Sequence, residues 1–202
     1  MNSSPEPTLT TRLLHLGLAV GVTLQLLLST FMERPRPGIS RPSLDAAGFE
    51  LHETVGLLLL PLIMAWFVWL FTRQREDGPR VLFPWFWSER RHELFGSGRH
   101  ALAAARQRRM PSEEDTHLLA SAVHGLGALC ALFMALTGST VWLGMSEQGA
   151  MPGWTHVVLE LHQAAANLMW AYLVGHVAMA LLHHFLGEAT LRRMFSFKAG
   201  RG

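Results

Sequence analysis

The chain has 202 residues, half of them apolar, and a formal net charge of only +2. That length suits one domain, and so small a net charge gives a nucleic-acid partner little to bind. The single cysteine, Cys130, excludes an intrachain disulfide, a Cys-x-x-Cys redox pair, an all-cysteine iron–sulfur centre and the Cys-x-x-Cys-His attachment of a c-type haem.

The apolar residues are gathered into long blocks, the pattern expected when lipid rather than water surrounds the fold. Four blocks, Leu13 to Met32, Leu51 to Thr72, His117 to Gly144 and Trp154 to Phe185, each reach or exceed the roughly 20 residues that cross a hydrocarbon core. The expected architecture is therefore all-α: an integral membrane four-helix bundle forming a single domain over residues 1–202. The first block follows Arg12 as a signal peptide would, but its apolar run exceeds the roughly 7–15 residues of such a segment. Ser29-Thr30-Phe31-Met32-Glu33 also lacks a small-residue cleavage site, so the block reads as a helix.

Between the first and second blocks, residues 33–49 are rich in Pro, Arg and Ser and read as a short outer loop. The second and third blocks are joined by a long connection, 73–116, that carries nine arginines. Within it Phe83 to Arg91 reads as a Pro-started amphipathic turn or short helix on the membrane surface, followed by a basic stretch from Arg99 to Arg109 and an acidic one from Glu113 to Asp115. Membrane lipid is the expected contact of this connection, and a soluble or membrane redox protein the alternative one.

Arg12, the nine arginines of 73–116, and Arg192, Arg193, Lys198 and Arg201 fall on one side of the spans, against Arg34, Arg36 and Arg41 on the other. The positive-inside rule places both termini in the cytoplasm. Trp69, Trp142 and Trp154 fall at span ends, where an indole suits the lipid–water boundary.

Eleven histidines are many for this length, and His15, His52, His124, His162 and His176 lie inside apolar spans, where ionisable side chains are costly and point to function. Any one of them could equally be a neutral imidazole bonded to a helix carbonyl. The arrangement says more. His162 and His176 are 14 residues apart, about 21 Å at about 1.5 Å per residue and on nearly the same helix face. They cannot share one metal, whereas two separate centres stacked through the membrane would each use one of them. With the fourth span running inward, His162 lies in the outer half and His176 in the inner half. His52 stands just inside the outer end of the second span and His15 just inside the cytoplasmic end of the first. Depth therefore pairs His52 with His162 and His15 with His176. An iron held by two imidazoles keeps no open position for oxygen or substrate, which suits electron transfer. Gly56, one turn after His52, and Gly175, beside His176, are places where a flat macrocycle or a neighbouring backbone has room.

These residues carry a resemblance. Arg12-Leu13-Leu14-His15 resembles the first-helix Arg-x-x-His of the bacterial di-haem cytochrome b561 family, and His52-Glu53-Thr54-Val55-Gly56 is similar to its second-helix His-x-x-x-Gly. In the fourth span, His162 to Asn167, His176 at an interval of 14, His183-His184-Phe185 and Leu191 to Met194 look like one continuous family signature. The resemblance implies axial ligation of two haem b groups by His15, His52, His162 and His176. Arg12, one turn before His15, is a candidate to face an inner propionate. It also implies a bacterial inner-membrane location and electron exchange with ubiquinone or another quinone. A membrane-anchor cytochrome b subunit of a larger dehydrogenase, reductase or hydrogenase is the alternative function, and a haem-free histidine-lined transporter a further one. His124 is left between core hydrogen bonding and contact with a quinone.

Overall fold

The computed structural model describes residues 8–72, 78–107, 109 and 113–185. The C-terminal basic residues Arg192, Arg193, Lys198 and Arg201, the Leu191 to Met194 part of the family signature, and Arg73, Arg75 and Arg108 of the long connection lie outside them, as do the side chains of His183 and of Glu113 to Asp115. Six helices follow in order: α1 Leu9–Leu28, α2 Ser43–Thr72, α3 Pro79–Leu82, α4 Ser88–Arg106, α5 Glu113–Gly144 and α6 Gly153–Phe185, with a 3-10 turn at Pro84–Phe86. Among the described residues there is no strand, only an isolated bridge between Arg36 and Ile39. Four of the helices, α1, α2, α5 and α6, are long and apolar enough to cross a membrane. The fold is thus an all-α membrane helical bundle, as expected.

The boundaries differ from the apolar blocks for local reasons. Helix α1 starts at Leu9 rather than Leu13, because the Thr8 hydroxyl accepts the Thr11 amide at 3.3 Å as an N-cap. It ends at Leu28 rather than Met32, where the Ser29 and Thr30 hydroxyls donate to the carbonyls of Leu26 and Leu27, each at 2.7 Å. Helix α2 begins at Ser43, inside what reads as outer loop from sequence. Pro42 directly before the helix and Asp45 in its first turn favour a helical start, and these polar first turns escape a search for apolar runs. What remains of the outer loop is tied locally, with Arg41 donating to the Glu33 carbonyl at 2.7 Å and lying over the Phe49 ring at 5.5 Å.

The residues cluster into two compact units. The first, 1–66 with 131–202, contains α1, α6, most of α2 and the last part of α5. In it Gly17 and Gly21, one turn apart on α1, face the side chains of Leu62 and Leu59 on α2. A Cβ on either would meet those leucines, so the small residues let the helices approach, as at many membrane interfaces. The connection from α5 to α6 is a tight turn in which Gly149 bonds to Ser146 at 2.8 Å. Gly149 has φ +81° and sits against the Pro35 backbone, so it needs both the left-handed conformation and the missing side chain. Much of the apolar surface points outward: Leu143 is 76 % exposed and Leu168 68 %, as expected of side chains whose solvent is lipid.

The second unit, 67–130, holds most of the long connection. Phe67 and Phe83 stack with ring centres 6.1 Å apart, and Trp85, Phe86 and Trp87 extend the aromatic cluster. Gly125 of α5 gives the Leu82 carbonyl room to lie against that helix. The main correction here is α4, a 19-residue helix where the sequence reading has at most a short one followed by loop. Gly96 and Gly98 weaken the helical signal, while the alanines from 101 to 105 restore it.

Arg91, Phe95, Arg99, Leu102 and Arg106 recur at helical spacing on one face of α4. All five are exposed, Phe95 by 68 %. An apolar stripe flanked by arginines suits an anionic lipid surface, with the rings inserted and the guanidinium groups at the headgroups. In a Cys130→Ser background reconstituted in nanodiscs, a fluorophore on Phe95→Cys is expected to be quenched by brominated lipid and one on Glu93→Cys to remain in water. Equal water exposure of both would show that this face does not rest on the bilayer.

Candidate functional site

Four of the five residues singled out from sequence meet in two pairs, all within the first unit. His52 of α2 faces His162 of α6 with ring centres 6.3 Å apart and planes at 89°. His15 of α1 faces His176 of α6 at 6.4 Å and 51°. Each ring is neither fully buried nor exposed. Arg12, the fifth, lies on α1 one turn before His15 and is half-buried. Among the described residues no group of three or more His, Cys, Asp or Glu side chains comes together, so these are two-ligand arrangements and not a zinc-type cluster.

The spacing of the pairs can be compared with what a metal would require. A metal–imidazole bond of about 2.0–2.1 Å on each side, with about 1.1 Å from nitrogen to ring centre, sets the ring centres about 6.3 Å apart when the two bonds are collinear. Both observed separations match that span. Along α6 the two pairs stand about 21 Å apart at about 1.5 Å per residue, which places them at opposite depths of a membrane.

Around His52 and His162 lies an apolar cavity lined from all four long helices, with Leu26 and Val22 of α1, Ile63 of α2, Met134 of α5 and Met169 of α6 among its walls. Gly138 of α5 also lines it, and a Cβ there would come within 3.1 Å of the His162 ring. The flat space beside the ring therefore depends on this glycine. Glu53 lines the same cavity, whereas Glu160, the other carboxylate inside a span, is exposed and does not.

Three polar side chains that sequence reading does not single out position these imidazoles. Thr137 of α5 places its hydroxyl 3.0 Å from His162 Nδ1 and donates to the Phe133 carbonyl at 2.8 Å. Gln25 of α1, buried, donates from Nε2 to the His52 carbonyl at 2.9 Å and so ties α1 to α2 at the level of that histidine. Gly56 makes this possible, since a Cβ there would fall 2.6 Å from the same nitrogen. It is thus the glutamine amide, not a neighbouring backbone, that uses the room at Gly56. Tyr172 stacks on His176 one turn away, with ring centres 5.5 Å apart and planes at 17°. The signals for these residues were faint: a lone Gln in an apolar span, the only tyrosine in the chain, and a Thr whose partner is 25 residues distant. A Cβ at Gly175 would meet nothing within 4 Å beyond its own stretch of helix. His124 is exposed and donates from Nδ1 to the Ala120 carbonyl of its own helix at 2.6 Å.

The residues fit a flat iron-bearing macrocycle held between imidazoles. Two buried polar atoms at the outer pair, Gln25 Oε1 and His52 Nδ1, make no hydrogen bond of good geometry. No curated protein and no solved structure matches the chain. A family model described as prokaryotic cytochrome b561 matches residues 7–197, which take in all four long helices and both histidine pairs. The chain belongs to the prokaryotic cytochrome b561 family, multi-pass membrane proteins of electron transfer through b-type haem.

Proposed function

We propose that the chain holds two b-type haems, one between His52 and His162 and one between His15 and His176, and carries electrons across the bacterial inner membrane in exchange with the quinone pool. The observation that carries this reading is the two pairs of facing imidazoles at 6.3 Å and 6.4 Å, in opposite halves of one helix. Haem iron supplies a one-electron carrier, and two axial imidazoles leave it no site for oxygen or substrate chemistry.

The chain's own residues do the rest. The four long helices present apolar walls that keep water from the outer pair. Gln25 and Thr137 hold the His52 and His162 segments in register, and Tyr172 holds the plane of His176. Arg12, one turn from His15, offers its guanidinium to a carboxylate at the inner end. With both termini cytoplasmic, as the arginine distribution requires, the His52 and His162 pair is the outer one. Glu53 in the outer cavity can accept a proton as quinol is oxidised there.

The purified chain is expected to give a low-spin b-type absorption spectrum, two haems per chain by pyridine haemochrome, and rapid haem reduction on adding a ubiquinol analogue. A preparation that binds no haem, or one haem per chain at full incorporation, would overturn the two-centre reading. Haem that dithionite reduces and quinol does not would overturn the quinone link.

A further inference from the structure

We infer that Thr137 is a positioning residue that sets the protonation and electron richness of the His162 imidazole, and through it the reduction potential of the outer centre. This rests on the ligand assignment proposed above.

A threonine hydroxyl has a single O–H to donate and lone pairs with which to accept. In α5 that O–H is directed back along the helix, to the Phe133 carbonyl at 2.8 Å and the Met134 carbonyl at 3.2 Å. A carbonyl oxygen can only accept, so the Thr137 proton is committed there. What the hydroxyl presents to His162 Nδ1, 3.0 Å away, is therefore a lone pair. The Met134 carbonyl, which can only accept, also lies within reach of the His162 ring, so Nδ1 carries the hydrogen and donates it. A neutral imidazole protonated at Nδ1 has its bare lone pair at Nε2, the atom that must be free to bind iron.

The rest of the environment makes the contact directional. Gly138 follows Thr137 on α5 and, lacking a side chain, lets that helix lie beside the His162 ring, where a Cβ would come within 3.1 Å. At His52 the counterpart is the Gln25 backbone rather than a hydroxyl, and Nδ1 makes no hydrogen bond of good geometry to it. The two imidazoles of the outer pair are thus unlike. A hydrogen bond accepted from a ligating histidine makes the imidazole a stronger donor to the metal and favours the oxidised ion. Removing the Thr137 hydroxyl leaves only the Met134 carbonyl to accept and is expected to weaken that donation and favour the reduced ion.

The test is a potentiometric titration of the full-length protein as Thr137→Val, which keeps the shape and loses the acceptor, and as Thr137→Ser, which keeps the hydroxyl. Haem is first counted in each, and the absence of haem from the unmutated protein would sink the ligand assignment rather than this inference. With haem present, Thr137→Val is expected to raise the outer potential by threefold to tenfold in the equilibrium constant for reduction. The upper end is about 59 mV for a one-electron couple. Thr137→Ser is expected to restore the potential, and the inner centre to titrate unchanged in both. An outer potential in Thr137→Val equal to that of the unmutated protein would overturn the inference. So would equal shifts at both centres, which would mark a general loosening. Should Thr137→Val fail to keep its outer haem, Thr137→Cys, a weaker acceptor, is compared with Thr137→Ser. The inference then requires a higher outer potential for Cys, and equal values would overturn it.

Discussion

Replacing His162 by alanine is expected to lower the haem content from two per chain to one, and replacing His52 by alanine to remove the same haem. Each substitution takes one of two imidazoles that face each other at 6.3 Å across an apolar cavity, and no other histidine among the lining residues is placed to substitute. His15→Ala and His176→Ala should remove the other haem, since those rings face each other at 6.4 Å. Pyridine haemochrome on the four purified single variants, with a redox titration to identify the surviving centre, checks the result. If His52→Ala and His162→Ala left centres of different potential behind, the pairing across α2 and α6 would be wrong.

Gly138→Leu should also cost the protein its outer haem, although Gly138 binds nothing. A Cβ at this position would lie 3.1 Å from His162 Cε1 and 3.5 Å from Nδ1, so the further carbons of leucine would occupy the space of the ring. Overpacking of this kind costs about 1–3 kcal/mol, and here the strain falls on the one side chain whose orientation matters most. Gly138→Ala asks the ring to move by only a few tenths of an ångström and is expected to keep the haem with a disturbed low-spin spectrum. Retention of both haems with an unaltered spectrum in Gly138→Leu would mean that α5 does not bear on His162 as the structure has it.

How legible these features were depends on whether they are local. The paired histidines could be read because a membrane reduces position to depth: the order of residues along an apolar span fixes how far each lies from the surface. His52 and His162 were therefore matched without knowing which helices touch. The start of α2 at Ser43 and most of α4 were missed for the complementary reason, that a search for apolar runs does not register a helix whose first turns are polar or whose apolar residues are scattered among polar ones.

The sequence by itself determined the four long apolar helices and the order of the histidines along them, since both depend only on composition along the chain and on the thickness of the bilayer. Contacts between helices distant in sequence were decided by the tertiary structure alone. Gln25 reaches the His52 carbonyl because Gly56 leaves it space, and Gly17 and Gly21 admit Leu62 and Leu59. Thr137 meets His162 because the tight turn at Gly149 folds α6 back along α5. Apolar periodicity cannot supply these meetings in lipid, where an outward face is as apolar as an inward one. Which small or polar residue turns toward a neighbour is settled only when the helices pack.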